Sequence, residues 1–422
     1  MPSQKTKKVA KQLESIQVKK HQDVKAIEAY NILSNYDFVY IFGLPRIGKS
    51  LIALHTLSFF NKPFRIAIIA PKQTLDNWKQ YESYCKEHDL QVSCINYESI
   101  HKLNSKDYDV VIIDEAHNLG AYPKMSLRTK RVKLFCKGKK VIFLSGTPII
   151  EGALKIYHQF KVLDDRINPF SRFVTFYQFF NYYGIPTPQH LSGRVFETYT
   201  RCRTKDVLEA IEKYFVYINY EDANFTYKNY DNVIMIKSNG NYEHTIKQVK
   251  QSRIYENKLL DTASSLYMAL HKIEGMYNTN KSMIKHHPKL MWLFNYLFDL
   301  KRKNPNCKIA IMAYFVQEQE FLVELVKDCK FNDVDIYSAT KFSEGIDLSY
   351  YDEYIIYSFG YSGVKFVQLR DRIVNITKDK ATYVTIPLIE CSNKKLNFAQ
   401  RVYEIVKQKK AFNLSLLNVD DI

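Results

Sequence analysis

Residues 43–50 read Gly-Leu-Pro-Arg-Ile-Gly-Lys-Ser, the full G-x-x-x-x-G-K-[ST] spacing of a loop that cradles phosphates. Gly43 and Gly48 let the backbone curl, while Leu44, Pro45, Arg46 and Ile47 form the body that wraps a polyphosphate at a helix N-terminus. Lys49 can then reach the β- and γ-phosphates, and the Ser50 hydroxyl can ligate Mg²⁺. With only 13 glycines in 422 residues, the chain has little chance of producing this pattern at random. A nucleoside triphosphate is the ligand it predicts.

A second group suits the same chemistry. Asp114-Glu115-Ala116-His117 closes an apolar run, Tyr108-Asp-Val-Val-Ile-Ile113. Carboxylates at the carboxyl end of a parallel strand stand where α/β sheets bind ligands. Asp114 can hold Mg²⁺ through water, and Glu115 can accept the proton of an attacking water. Ser145-Gly146-Thr147-Pro148 ends the next apolar run, and small hydroxyl residues on a tight turn there can sense the γ-phosphate.

Those groups need a scaffold. The runs Phe38-Val-Tyr-Ile-Phe42, Phe64-Arg-Ile-Ala-Ile-Ile-Ala70, Val92-Ser-Cys-Ile95, the run before Asp114, and Lys140-Val-Ile-Phe-Leu144 alternate with helical patterns. Continuous Val/Ile runs are suited to parallel strands buried on both faces. The pattern returns in Lys308-Ile-Ala-Ile-Met-Ala-Tyr314, Val334-Asp-Ile-Tyr337, Tyr354-Ile-Ile-Tyr357 and Thr382-Tyr-Val-Thr-Ile386, without a second phosphate loop. The expected fold is α/β, with two RecA-like parallel-sheet lobes separated by a helical insertion. The expected boundaries are a basic arm at 1–20, lobe 1 at 21–150, the insertion at 151–284 and lobe 2 at 285–422. The aromatic stretch from Phe170 to Tyr183 reads first as core packing, and second as a base-stacking platform.

A formal net charge of +17 points to an anionic partner beyond the nucleotide, with nucleic acid first and a merely solvated basic surface second. Seven scattered cysteines without a C-x-x-C pair argue against structural zinc and a disulfide framework. The doublet His286-His287 has no spaced Cys or His partner and reads as solvated or locally hydrogen-bonded. No signal peptide or membrane span is legible, so the expected location is cytoplasmic (the host's, if the protein is viral), with no membrane partner.

In this order the motifs resemble those of helicase superfamily 2, and specifically compact Swi/Snf-type DNA-dependent ATPases of bacteriophages and other viruses. Ile69-Ala-Pro-Lys-Gln-Thr-Leu-Asp-Asn-Trp78 is similar to motif Ia, and Ile95-Asn-Tyr-Glu98 to motif Ib. Asp114 to His117 matches the DEAH box, Gly345-Ile-Asp-Leu-Ser349 motif V, and Gln368-Leu-Arg-Asp-Arg-Ile373 motif VI. The chain departs from the pattern at Gly120, where a lysine is usual, and at Asn375, where a second arginine is usual.

The resemblance implies an ATP- and Mg²⁺-dependent DNA helicase or translocase that moves on, unwinds or branch-migrates duplex, forked or branched DNA. Such a role would belong to viral replication or recombination. It implies that Arg372 is an arginine finger, with Gln368 beside it in catalysis, and that Gly345 and Asp347 contact the nucleotide. Gln22 resembles the upstream glutamine that reads adenine, because an amide offers one donor and one acceptor. Lys72, Gln73, Thr74, Asn96, Thr147 and Ser343 are the implied contacts to the nucleic-acid backbone. Such contacts position a strand without reading its sequence. The competing readings are an RNA helicase or transcription-release ATPase, and a DNA clamp that does not hydrolyse ATP.

Overall fold

The computed structural model describes residues 16–43, 47–146, 149, 152–191, 194–219, 221–222, 229–275, 287–340, 348, 350–371 and 382–415. Chain contacts divide it into two units, Met1–Asn224 and Phe225–Ile422.

The first unit is built on β1 (Phe38–Gly43), β2 (Phe64–Ala70), β3 (Leu90–Asn96), β4 (Val110–Ile113), β5 (Lys140–Ser145), a hairpin of β6 (Gly184–Leu191) and β7 (Arg194–Cys202), and β8 (Phe215–Ile218). Six of these form one sheet in the order β3-β2-β4-β5-β1-β8, with parallel neighbours throughout. Every residue of β1 and β4 is buried, as strands covered on both faces require. Helix α1 (Lys20–Tyr36) lays Gln22, Ala26, Ala29 and Leu33 inward, at the 4-3-4 spacing of one helical face. Asp37 ends it in the left-handed region (φ 54°), donating its N–H to the Leu33 carbonyl. Helix α2 (Lys49–Ser58) buries Leu51, Ile52, Leu54 and Leu57 in the same core as Val39, Ile41 and Ile112. Each such aliphatic side chain contributes about 1.5–3 kcal/mol.

The second unit carries β9 (Asn229–Lys237), a short hairpin of β10 (Ile254–Tyr255) and β11 (Lys258–Leu259), β12 (Ile309–Ala313), β13 (Val334–Ser338), β14 (Glu353–Ile356) and β15 (Thr382–Glu390). Its five-stranded sheet, β13-β12-β14-β15-β9, is again all parallel. Along β12, Ile309, Ile311 and Ala313 enter one core and Ala310 and Met312 the other, the strand's period of two. Both sheets are the expected parallel α/β type.

The stretch 151–284 is more than a helical insertion. It holds the β6–β7 hairpin, β8 completes the first sheet beside β1, and β9 completes the second beside β15. Periodicity hides them. Phe215–Ile218 is only four residues long, and the nine residues Asn229–Lys237 open on a polar Asn-Tyr-Asp-Asn run. The aromatic stretch is core, as the first reading has it. Phe170, Phe179 and Phe180 are buried, and the rings of Phe170 and Phe179 meet edge-on at 5.0 Å. His287 is locally hydrogen-bonded, its Nε2 lying 3.0 Å from the Ile273 carbonyl; burial pushes its pKa down to about 3. His286 lies outside the described residues.

Candidate nucleotide site and its carboxylate pair

The phosphate loop leaves the carboxyl end of β1. There the backbone runs close to β8: a Cβ on Gly43 would stand 3.0 Å from the Ile218 carbonyl oxygen, so only glycine fits easily. Gly48 has φ +90°, a left-handed conformation glycine adopts at no steric cost, and it caps α2. A Cβ there would also meet Gln22 Nε2 at 2.1 Å. Lys49, the first residue of α2, donates from Nζ to the Gly43 carbonyl at 2.7 Å, spanning the mouth of the loop. Leu44, Pro45 and Arg46 lie outside the described residues, and Ile47 is buried.

Gln22 is 5% exposed and packs against this loop from the first turn of α1. Its Oε1 accepts from the Lys19 N–H at 2.9 Å, so part of its hydrogen-bonding capacity holds its own helix end. The neighbouring His21 ring reaches the Ile47 carbonyl at 3.2 Å. His21 was not among the predicted site residues; the only signal was its place beside Gln22.

Asp114 and Glu115 follow β4 directly. Asp114 accepts from the Trp78 indole N–H at 3.3 Å and from the Glu115 N–H at 3.0 Å. Burial first, then the Glu115 charge, pushes the Asp114 carboxyl up to about 7, with the Lys49 ammonium opposing them. Burial pushes the phenol of Tyr81 up to about 12, with help from the Asp114 charge and against the nearby Ser50 hydroxyl. A hydroxyl and a half-buried carboxylate are hard oxygen donors of the kind that suit a divalent ion such as Mg²⁺. Ser50 and Asp114 are the residues that could hold it. Among the described residues no cluster of three His, Cys, Asp or Glu side chains could bind a metal.

Glu115 adopts φ 52°, ψ 51°, a left-handed conformation that costs a non-glycine residue about 1–2 kcal/mol. Its carboxylate lies 3.1 Å from His117 Nδ1, and the same nitrogen lies 3.0 Å from Ser145 Oγ on β5. The expected proton acceptor and the expected γ-phosphate sensor strand are thus linked through one imidazole. The Tyr97 hydroxyl donates to the Asp114 carbonyl at 2.5 Å and lies 3.3 Å from that of Glu115. Trp78 and Tyr97 sit in the motifs quoted above without a role; Tyr81 carried no sequence signal beyond its place three residues after Trp78.

The implied nucleic-acid residues divide. Lys72 and Gln73 are exposed on a short turn after β2. Thr74 is buried, and its hydroxyl donates to the Pro71 carbonyl at 3.0 Å, so that proton is used inside the turn. The Asn96 side chain accepts from the Ser99 N–H at 2.8 Å, capping the turn Tyr97–Lys102. In the second unit, Gln368 is buried on the helix Gly363–Arg370, and neither of its amide atoms has a partner among the described residues. Thr147, Ser343, Gly345, Asp347, Arg372 and Asn375 lie outside the described residues.

Fold and site together define a phosphate-loop α/β protein with a carboxylate pair on a nearby strand of the same sheet. Over 152 residues the chain is 24% identical to "SWI/SNF-related matrix-associated actin-dependent regulator of chromatin subfamily A-like protein 1" of Drosophila melanogaster, covering 31% of this chain and 20% of that one. The chain therefore spans about a fifth of that curated relative's length. A solved structure, the Sulfolobus solfataricus SWI2/SNF2 ATPase core in complex with dsDNA, aligns over 97% of this chain and 96% of its own, at 14% identity and a TM-score of 0.42. No protein-family model matches the chain. The curated relative bears out the Swi/Snf-type resemblance read from the motifs. Among the described residues no helix is long and apolar enough to cross a membrane.

Proposed function

We propose that this protein is a DNA-dependent ATPase of the Swi/Snf type that uses ATP and Mg²⁺ to translocate on duplex or branched DNA, in the setting of viral replication or recombination. The observation that carries the reading is Lys49 at the mouth of the phosphate loop, close enough to the half-buried Asp114–Glu115 pair to oppose its charge repulsion. Lys49 supplies positive charge to the transferring γ-phosphoryl group, and Glu115 accepts the proton of the attacking water. Ser50 and Asp114 would hold Mg²⁺, which would supply positive charge against the negative charge developing on the phosphoryl group. Arg372 is the residue proposed to donate a second positive charge, with Gln368 beside it and Gly345 and Asp347 at the nucleotide. Gln22 reads the adenine edge. Lys72, Gln73, Asn96, Thr147 and Ser343 track the DNA backbone; Thr74 contributes structure to that turn rather than a free hydroxyl proton.

Steady-state ATP hydrolysis measured without nucleic acid and with single-stranded DNA, duplex DNA, forked DNA or RNA tests this. DNA, and not RNA, should stimulate turnover. Lys49→Ala should lower it by roughly 10²-fold or more while the protein stays folded. Stimulation by RNA alone favours the RNA-helicase reading, and DNA binding with no turnover in the wild type favours the clamp.

A further inference from the structure

Tyr97 is 2% exposed, and its hydroxyl meets the two backbone carbonyls that flank the Glu115 Cα, those of Asp114 and of Glu115 itself. A phenol has a single proton. At 2.5 Å from the Asp114 carbonyl it is committed there, with the Glu115 carbonyl at 3.3 Å as the alternative acceptor. From the other direction Asn118 grips the same turn: its side-chain Nδ2 donates to the Glu115 carbonyl at 3.1 Å and its backbone N–H at 3.0 Å. Between these grips Glu115 holds an unfavourable left-handed conformation. A backbone that relaxed toward the ordinary helical or extended regions would carry the carboxylate away from His117. Such outliers persist only where the surroundings over-determine them.

We infer that Tyr97, aided by Asn118, is a positioning residue that locks the Glu115 turn so that its carboxylate is held in place to accept a proton. Resting on the ATPase reading above, the inference gives Tyr97 no contact with nucleotide or water; it acts through the backbone of the base. Burial and the nearby carboxylates hold the phenol well above its ordinary pKa, so it remains a donor at all working pH. The Arg128 guanidinium, 5.3 Å from the ring, packs against it and pairs with Glu98 at 2.6 Å.

Tyr97→Phe keeps the ring and removes only the hydroxyl. Its kcat for ATP should fall roughly 5- to 20-fold, the scale of one lost buried hydrogen bond, with KM and nucleotide affinity unchanged. Tyr84→Phe is the control, because Tyr84 is equally buried in the same unit and its hydroxyl bonds to His55 at 2.6 Å, away from the carboxylates. It should leave kcat at the wild-type value. Asn118→Ala is the second variant and should reproduce the kcat-only loss, even if Tyr97→Phe proves unstable. A kcat for Tyr97→Phe equal to wild type, equal losses in Tyr97→Phe and Tyr84→Phe, or an unchanged kcat in Asn118→Ala would overturn the inference. Absence of turnover in the wild type overturns the ATPase reading instead.

Discussion

At the scale of single residues, the two motif VI arginines separate. Arg370 is 12% exposed and pairs with Asp371 at 2.9 Å and Asp231 at 3.6 Å; Asp231 also accepts from the Tyr403 hydroxyl at 2.8 Å. It ties its helix to β9, and removing it would take a cation away from two inward carboxylates. Breaking such a pair from one side costs about 3 kcal/mol. Arg370→Ala should therefore lower the thermal midpoint by several degrees. Arg372→Ala should leave the midpoint near wild type and lower ATP turnover by about 10³-fold, the scale of an arginine finger. Paired thermal melts and ATPase assays decide it. A stable but inactive Arg370→Ala would mean that Arg370 fills the finger role and that Asn375 marks a rearranged motif.

At the scale of elements, the helix Val316–Asp328 begins over a buried carboxylate. Glu318 accepts from the Tyr314 N–H at 3.0 Å and the Phe315 N–H at 3.3 Å, and the Ser358 hydroxyl also donates to it. Those bonds favour the ionised form, as does the nearby Lys289. Burial outweighs them and pushes the carboxyl up to about 7 from an ordinary 4.5. Lys289 is itself 1% exposed and committed to Glu274 at 2.7 Å. A folded-state pKa raised above the unfolded one stabilises the fold fully below about 4.5, and that contribution is lost as pH rises through about 7. Over that window the second unit should lose up to about 3 kcal/mol from this group. Thermal melts of wild type and Glu318→Gln between pH 5 and 8 test it, the variant showing the shallower decline. Equal slopes would remove Glu318 as the source.

At the scale of the whole molecule, the excess of 17 positive charges sets how the protein should meet DNA. Lysines and arginines that neutralise phosphates release counterions, and contacts to the phosphate backbone read no bases. Affinity should fall by at least roughly 10²-fold between about 50 and 200 mM salt, and differ little between two unrelated duplexes of equal length. Fluorescence anisotropy titrations would show it. A flat salt response would assign the basic surface to another purpose.

The sequence by itself determined the two parallel sheets and where the candidate site lies along them. A phosphate loop must follow a buried strand and open a helix, and runs such as Val110–Ile113 are apolar enough to be covered on both faces. Lys49, Ser50, Asp114 and Glu115 were legible because their spacing relative to those strands is itself the chemistry. Tertiary structure alone decided the rest, since it depends on partners distant in the chain. Phe215–Ile218 is a strand because β1 offers it an edge. The Thr74 hydroxyl proton goes to a carbonyl, and Asn96 caps a turn. Arg370 is an ion-pair residue because β9, some 140 positions earlier, brings Asp231 to it. Tyr97 reads as one more aromatic until β3 and β4, each paired to β2, set its hydroxyl against the backbone of the carboxylate pair.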